Sequence, residues 1–374
     1  MCNKNRFFLI AVFCLAPDGL LIPCAVNFVT MKYKLLGRSG LKVSELCLGT
    51  MGFGTETNWG ADKETSFKII ESFAEAGGNF LDTANIYKFG TSEKIIGEFI
   101  NGRDRDFFVI ATKYTLLDNT TNPNASGNNR KNMMRSVEES LKRLQTDFID
   151  VFYLHIWDDL TPIDEVLRGL DDLIRQGKIN YAAISDTPAW MVAKGNTLAE
   201  LMGWSEFIAL QIEYSLLQRT PERELLPMAK HFGMTVTPWA PLAGGALTGK
   251  YLRGDYGRIK EGSNRLNENS QRITKEVITI AEKLGVAAGH VALKWTMQQP
   301  LSVIPIVGAT KLEQLEQNLQ AIDVVIPEED MKHLDEISAI DLGFPMKFFQ
   351  EEAVRVNTYG GFYDKIEKRK QVLH

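Results

Sequence analysis

The chain has 374 residues, 44% of them apolar, with 47 aspartates and glutamates against 42 lysines and arginines, for a net charge of −5. That apolar share supports a sizeable core, and the acidic balance, with no dense basic stripe, argues against nucleic acid as the main partner. Length alone leaves one large domain or two smaller ones open.

At the start, Lys4 and Arg6 precede an apolar run from residue 7 to residue 16, and Cys24-Ala25 supplies small residues after it. This is the layout of a secretory signal, although Leu21-Ile22-Pro23-Cys24 makes a poor lipoprotein box because proline precedes the cysteine. Met31 opens a self-sufficient domain start. Residues 1–30 are therefore expected to be an extension outside the fold and the protein to be cytoplasmic, with export as the alternative if the segment is a true signal. The run is too short to span a bilayer, and no other stretch is long enough. Cys2, Cys14 and Cys24 all fall in this segment. The body is left with Cys47 and no internal disulfide, which fits a reducing compartment.

From Tyr33 the pattern predicts a β-hairpin, Tyr33 to Leu36 and Leu41 to Ser44, around Gly37-Arg38-Ser39-Gly40. Short apolar runs then alternate with amphipathic stretches. The runs end near Leu48, Leu81, Ala111, Leu154, Ile184, Leu210, Thr237 and Val307. Apolar residues at three- and four-residue spacing predict helices over 64–76, 92–99, 131–144, 163–176, 187–201 and 221–232, and over 271–299 with a break at Gly285. Eight strands with intervening helices predict an α/β fold, a (β/α)₈ TIM barrel with an N-terminal hairpin and extended loops at its C-terminal face, over residues 31–340. The competing open sheet would want a G-x-G-x-x-G turn after its first strand. Gly49-Thr50-Met51-Gly52-Phe53-Gly54 does not have that spacing. Loops 114–130 and 241–270 are long and polar, as loops over a barrel mouth are. The tail, 341–374, carries Phe344, Phe348, Phe349, Tyr359 and Phe362 and is expected to pack on the barrel.

Chemistry in such folds gathers at the C-terminal ends of the strands. Asp82, Lys113 and His155 each stand at such an end, and Tyr87 follows Asp82 by five residues. Singly they read as a helix cap, a solvated charge, a rim histidine and a surface aromatic; jointly they describe a carbonyl-reduction site. A phenol with a pKa of about 10 is a reluctant acid. A neighbouring ammonium is expected to bring it down, and reaching neutrality takes about 4 kcal/mol. Gly244-Gly245-Ala246-Leu247-Thr248-Gly249-Lys250-Tyr251 nearly spells a P-loop but ends in tyrosine where Mg²⁺ would need a hydroxyl. His155, His231, His290, His333 and His374 show no ligand spacing, so no metal is expected.

Carried by these residues, the chain resembles the aldo-keto reductase family from Met31 to Ala321. Asp82-Thr83-Ala84-x-x-Tyr87 is similar to the family signature, Thr112-Lys113 to its lysine strand and Leu154-His155 to its histidine strand. Gln211-x-Glu213-Tyr214-Ser215, Trp239-Ala240-Pro241-Leu242 and Gly308-Ala309-Thr310-Lys311 are similar to further blocks. The resemblance implies hydride transfer from NAD(P)H to an aldehyde or ketone without a Rossmann domain. By that carry-over Tyr87 protonates the carbonyl oxygen, Lys113 and Asp82 tune it, and His155 orients the carbonyl. Trp239 would stack on the nicotinamide, Ser185 and Gln211 would hold its carboxamide, and Thr50 and Met51 would line its side. Leu242 and Gly244 would meet the pyrophosphate, Lys311 the adenosine 2′-phosphate, and Lys250 also belongs to the expected cofactor set. Gly308, Gln314, Gln317 and Asn318 complete the expected cofactor set. NADP(H) is expected over NAD(H), although lysine and glutamine replace the arginines common at the adenine end. Asp186 stands where the family usually has asparagine and is expected to favour the oxidised, positive nicotinamide. Trp59, Tyr87, His155 and Trp157 are the expected walls of the pocket for a small-molecule carbonyl substrate. The alternative is a non-catalytic, cofactor-sensing binding module similar to potassium-channel β subunits, which keep the same four residues. A Schiff-base enzyme acting through Lys113 is disfavoured by the tyrosine signature.

Overall fold

The computed structural model describes residues 31–117, 121–255, 257, 259–260 and 262–367, and the backbone of two short strands, Val12–Leu15 and Leu21–Cys24. Those two strands pair antiparallel in a sheet of their own. The other signal-like features, Lys4 and Arg6 among them, and the end of the tail from residue 368 lie outside the described residues.

Eight parallel strands form the centre: β1 (Cys47–Gly49), β2 (Phe80–Asp82), β3 (Val109–Tyr114), β4 (Ile149–Leu154), β5 (Ile179–Ser185), β6 (Phe207–Glu213), β7 (Thr235–Trp239) and β8 (Ile306–Gly308). They follow one another from β1 to β7, with β8 beside β1. The last gap closes just before β8. The amide of Val236 donates to the Ser302 carbonyl (2.8 Å) and that of Ile304 to the Val236 carbonyl (2.9 Å). Around this barrel run α1 (Lys63–Glu75), α2 (Thr91–Ile100), α3 (Arg130–Leu144), α4 (Ile163–Arg175), α5 (Ala189–Met202), α6 (Leu225–His231), α7 (Glu268–Leu284), α8 (Ala288–Met297), α9 (Leu312–Gln320) and α10 (Glu328–Ile337).

The two-residue period of a strand decides what faces inward. Leu48, Leu81, Ile110, Phe152, Ile184 and Leu210 belong to the shell between barrel and helices. Their neighbours Cys47, Phe80, Val109, Ala111, Tyr153, Ala183 and Ala209 belong to the barrel interior. By the same alternation Asp82, Lys113, Ser185 and Gln211 point into the barrel at its C-terminal end.

The other end is plugged. The hairpin pairs Tyr33–Leu35 with Lys42–Ser44 and buries Leu36 and Val43 in the interior cluster, each worth about 1.5–3 kcal/mol. Its turn reaches β7, where the Gly37 amide donates to Thr235 Oγ1 (2.7 Å). Gly37 has φ +58, and a Cβ there would sit 2.1 Å from the Ile208 carbonyl oxygen, so the close approach needs glycine.

One expectation meets a different arrangement. Phe344, Phe348, Phe349, Tyr359 and Phe362 are each at least 42% exposed. Phe348 contacts Phe344 and Phe349, and Arg223 holds the Asp341 carbonyl at 2.8 Å. The helices Met346–Gln350 and Glu352–Tyr359 have only 5 and 8 residues. Each is too short to lay a broad apolar stripe on the barrel.

Candidate active site

At the barrel mouth the Lys113 ammonium is fully buried and donates to Asp82 Oδ2 (2.7 Å), the Thr83 carbonyl (2.7 Å) and the Tyr87 hydroxyl (3.3 Å). A lysine has three N–H donors, and each has an acceptor here. Room for this long side chain comes from small inward neighbours. Gly49 and Ala111 flank Asp82 in register on either side. Asp82 is 3% exposed, and its other oxygen accepts from Gln211 Nε2 at 2.9 Å. Tyr87 opens a short 3₁₀ turn, and its ring meets the His155 imidazole edge-on with centroids 6.0 Å apart.

Electrostatics divide the roles. Burial pulls the Lys113 ammonium down, but the Asp82 carboxylate and the Tyr87 oxygen outweigh it and hold its pKa above the ordinary lysine value. Lys113 is thus a permanent cation. For Tyr87 the sequence expectation needs correcting. Burial pushes the phenol up, Lys113 pulls it down, and burial wins, leaving the hydroxyl above its usual value. The resting phenol is protonated, as a proton donor should be, and the ammonium limits the cost of leaving it ionised.

Burial and the Lys113 charge lower His155 to about 3, so its imidazole is neutral wherever the enzyme works. The unfolded chain takes up this proton below about pH 6.5 and the folded chain does not, so His155 makes folding less favourable as pH falls from there towards 3. Wild-type protein is expected to lose about 2 kcal/mol more than His155→Asn between pH 7 and pH 5. Urea denaturation of both at the two pH values reads this difference.

A second layer holds these groups, and sequence reasoning missed it. Ser92 Oγ lies 2.8 Å from Thr50 Oγ1 and 2.9 Å from Thr83 Oγ1. Thr50 Oγ1 in turn donates to the Asp82 carbonyl at 3.0 Å. Glu93, fully buried in the first turn of α2, accepts from Thr112 Oγ1 on β3 and Arg143 Nε on α3, both at 2.6 Å. The signal was present: Ser92-Glu93 opens a helix immediately after the tyrosine turn.

The other expected residues end the strands or follow them in the chain. Ser185 ends β5, and its Oγ is buried with no hydrogen-bond partner among the described residues. Asp186, with φ +38, accepts from Trp239 Nε1 at 3.1 Å, joining the ends of β5 and β7. Burial holds its carboxyl above the usual range against the opposing indole hydrogen bond. Met51 is 38% exposed just after β1, and Trp59 and Trp157 are half-buried. Leu242, Gly244 and Lys250 lie in the turns after β7. Gly308 ends β8, and Lys311 is exposed at the N-terminus of α9, which carries Gln314, Gln317 and Asn318.

The sequence model of the Aldo/keto reductase family matches residues 45–339. The chain belongs to the aldo-keto reductase family. As an aldo-keto reductase it is an NAD(P)H-dependent oxidoreductase that reduces carbonyl groups. It is similar to the norsolorinic acid reductase of Aspergillus flavus, 37% identical over 85% of this chain and 83% of that protein. It is also similar to the NADP(+) aryl-alcohol dehydrogenase of Phanerodontia chrysosporium, 37% identical over 87% of this chain and 91% of the relative. A putative aryl-alcohol dehydrogenase of Saccharomyces cerevisiae is 35% identical over 84% of this chain and 88% of its own length. Among the described residues of this aldo-keto reductase no helix is long and apolar enough to cross a membrane, and no group of three or more histidine, cysteine, aspartate or glutamate side chains is arranged to hold a metal.

Proposed function

We propose that this aldo-keto reductase interconverts aromatic aldehydes or ketones and the corresponding aryl alcohols, in the cytoplasm and with NADP(H) in preference to NAD(H). Residues 31–340 form its catalytic barrel, preceded by an extension. The single observation that carries the reading is the Lys113 ammonium donating to both the Asp82 carboxylate (2.7 Å) and the Tyr87 hydroxyl (3.3 Å). When bound, the nicotinamide cofactor supplies the hydride. Tyr87 gives its phenolic proton to the carbonyl oxygen as charge develops there. Lys113 stabilises the phenolate that remains, Asp82 keeps Lys113 in place, and neutral His155 orients the carbonyl by hydrogen bonding.

The residues present suit the cofactor. The unpartnered Ser185 hydroxyl is matched to a carboxamide, and buried polar atoms are normally paired. Gln211 lies next to it in register. Gly244 and Gly245, at φ +67 and +92, expose backbone that a phosphate can approach. Lys311 offers a cation for the 2′-phosphate. Asp186 accepts from Trp239 Nε1 and would put a carboxyl group beside the oxidised ring if Trp239 stacks on it. For the aryl class the support is the half-buried Trp59 and the names of the relatives.

Purified protein is expected to consume NADPH faster than NADH with aromatic aldehydes. Lys311→Ala should raise KM for NADPH by about tenfold and leave KM for NADH within about twofold, a difference of one charge-assisted contact. Steady-state assays with both cofactors measure it; equal losses would remove the phosphate assignment.

A further inference from the structure

Lys88 follows Tyr87 directly, and no sequence motif singles it out. It is only 6% exposed. Lys88 (φ 51, ψ 40) and Phe89 (φ 55, ψ 36) are both left-handed. Two successive non-glycine residues in that region cost about 1–2 kcal/mol each, and such strain persists where the surroundings enforce it. Contacts to the loop that follows β1 enforce it. Lys88 Nζ donates to Thr57 Oγ1 and to the Trp59 carbonyl, and it stands 4.2 Å from the centroid of the Trp59 ring.

That loop is built to receive the side chain. The Gly54 amide donates to the Ala61 carbonyl (2.8 Å) and the Ala61 amide to the Gly52 carbonyl (2.7 Å), closing the loop at its base. A Cβ at Gly54 would come within 3.0 Å of Lys88 Cβ, and one at Gly60 within 3.0 Å of Lys88 Nζ. Gly54 thus leaves room for the lysine stem, and Gly60, where a Cβ would also meet the Gly54 carbonyl oxygen at 2.0 Å, leaves room for the ammonium. A Cβ at Gly52 would meet the Trp59 ring at 3.2 Å, so the indole rests on the backbone that leaves β1 for the mouth.

We propose that Lys88 is a positioning residue that clamps the loop 52–61 and fixes the Trp59 ring as a flat wall of the substrate pocket, setting a preference for planar aryl carbonyls over flexible aliphatic ones. This rests on the reading of the barrel mouth as the substrate site. A cation held over an indole face and bonded to the same residue's carbonyl restrains both ring and backbone. A ring already in place binds a planar partner without the cost of ordering it. The tight turn also ties the wall to Tyr87, so the wall and the proton donor keep a common frame.

Lys88→Met keeps the stem and removes the ammonium. It is expected to lower the ratio of kcat/KM for 2-naphthaldehyde to kcat/KM for butanal by about tenfold, mainly through KM for the aryl substrate, the scale of one pocket contact. In a Trp59→Ala background the same change should move that ratio by less than about twofold, because the two residues act as a unit. Amide exchange at Gly54 and Ala61 should speed up by about tenfold or more in Lys88→Met. Equal losses with both aldehydes, additive effects in the double variant, or unchanged exchange would overturn the proposal. Should Lys88→Met fail to fold, Thr57→Val removes one acceptor at an exposed hydroxyl and should shift the ratio and the exchange in the same directions by less. A wild-type protein that reduces neither aldehyde would sink the reading of the mouth and the selectivity with it, whereas the exchange measurement judges the clamp independently.

Discussion

Lys113→Met is expected to destabilise the protein by about 3–5 kcal/mol, the usual loss when one partner of a buried ion pair is removed. The loss arises at Asp82 rather than at the new methionine. Asp82 is 3% exposed, and among the described residues its Oδ2 is left without a donor once the Lys113 ammonium at 2.7 Å is gone, while Oδ1 retains Gln211 Nε2 at 2.9 Å. The Thr83 carbonyl loses its donor as well. An apolar replacement of both partners can be far gentler. Asp82→Asn combined with Lys113→Met is therefore expected to recover more than half of the loss. Denaturant titrations of wild type, both single variants and the double variant complete the cycle. A Lys113→Met loss under about 1 kcal/mol would show that the pair does not hold the mouth together.

Much of this site was legible because strands alternate. Leu81 faces out and Asp82 in; Ile110 faces out, Ala111 and Lys113 in. A polar residue that closes an apolar run on the inward phase is bound to reach the mouth, which is why Asp82 and Lys113 could be placed without coordinates. The strand ends shift by at most three residues for the same reason, since apolar runs mark the buried part of a strand and not its last backbone hydrogen bond. What stayed hidden depends on distance or on depth. Gln211 reaches Asp82 across 129 residues, and local pattern carries nothing about that pairing. Tyr87 was expected to be acidified by its lysine, but the outcome turns on how deeply the hydroxyl is buried, and no local pattern around Tyr87 encodes depth. The left-handed pair at Lys88 and Phe89 has no glycine or asparagine to announce it. α9 and α10 are absent from the expected helices, although Leu312, Leu315 and Leu319 in α9 show three- and four-residue spacing. In the tail, aromatic content predicts packing on the barrel, yet Phe344, Phe348, Phe349, Tyr359 and Phe362 all stay exposed.

Tyr87→Phe is expected to cut kcat by about 10²–10⁴-fold, the range that a positioned general acid contributes, while cofactor dissociation constants stay within about twofold. The substitution is clean for structural reasons. The Tyr87 hydroxyl is the most distant of the three Lys113 acceptors, at 3.3 Å against 2.7 Å for the other two, so the ammonium keeps Asp82 and Thr83 when it is gone. The phenyl ring retains its edge contact with His155, and stability should change by less than about 1 kcal/mol. Losses in kcat and kcat/KM should match, as they do when an interaction is made only in the transition state. His155 cannot take over the proton transfer, because burial and the Lys113 charge keep its value near 3 and it carries no spare proton at neutral pH. The pH profiles follow from the state of the phenol. Reduction needs the protonated form, which burial favours, so its rate should hold across neutral pH and fall only on the alkaline side. Alcohol oxidation needs the phenolate and should rise with pH until Tyr87 titrates. Stopped-flow single turnovers in both directions, with wild type and Tyr87→Phe, separate this chemistry from product release. A variant that retains more than about a tenth of the wild-type single-turnover rate would mean that the proton reaches the carbonyl oxygen by another route.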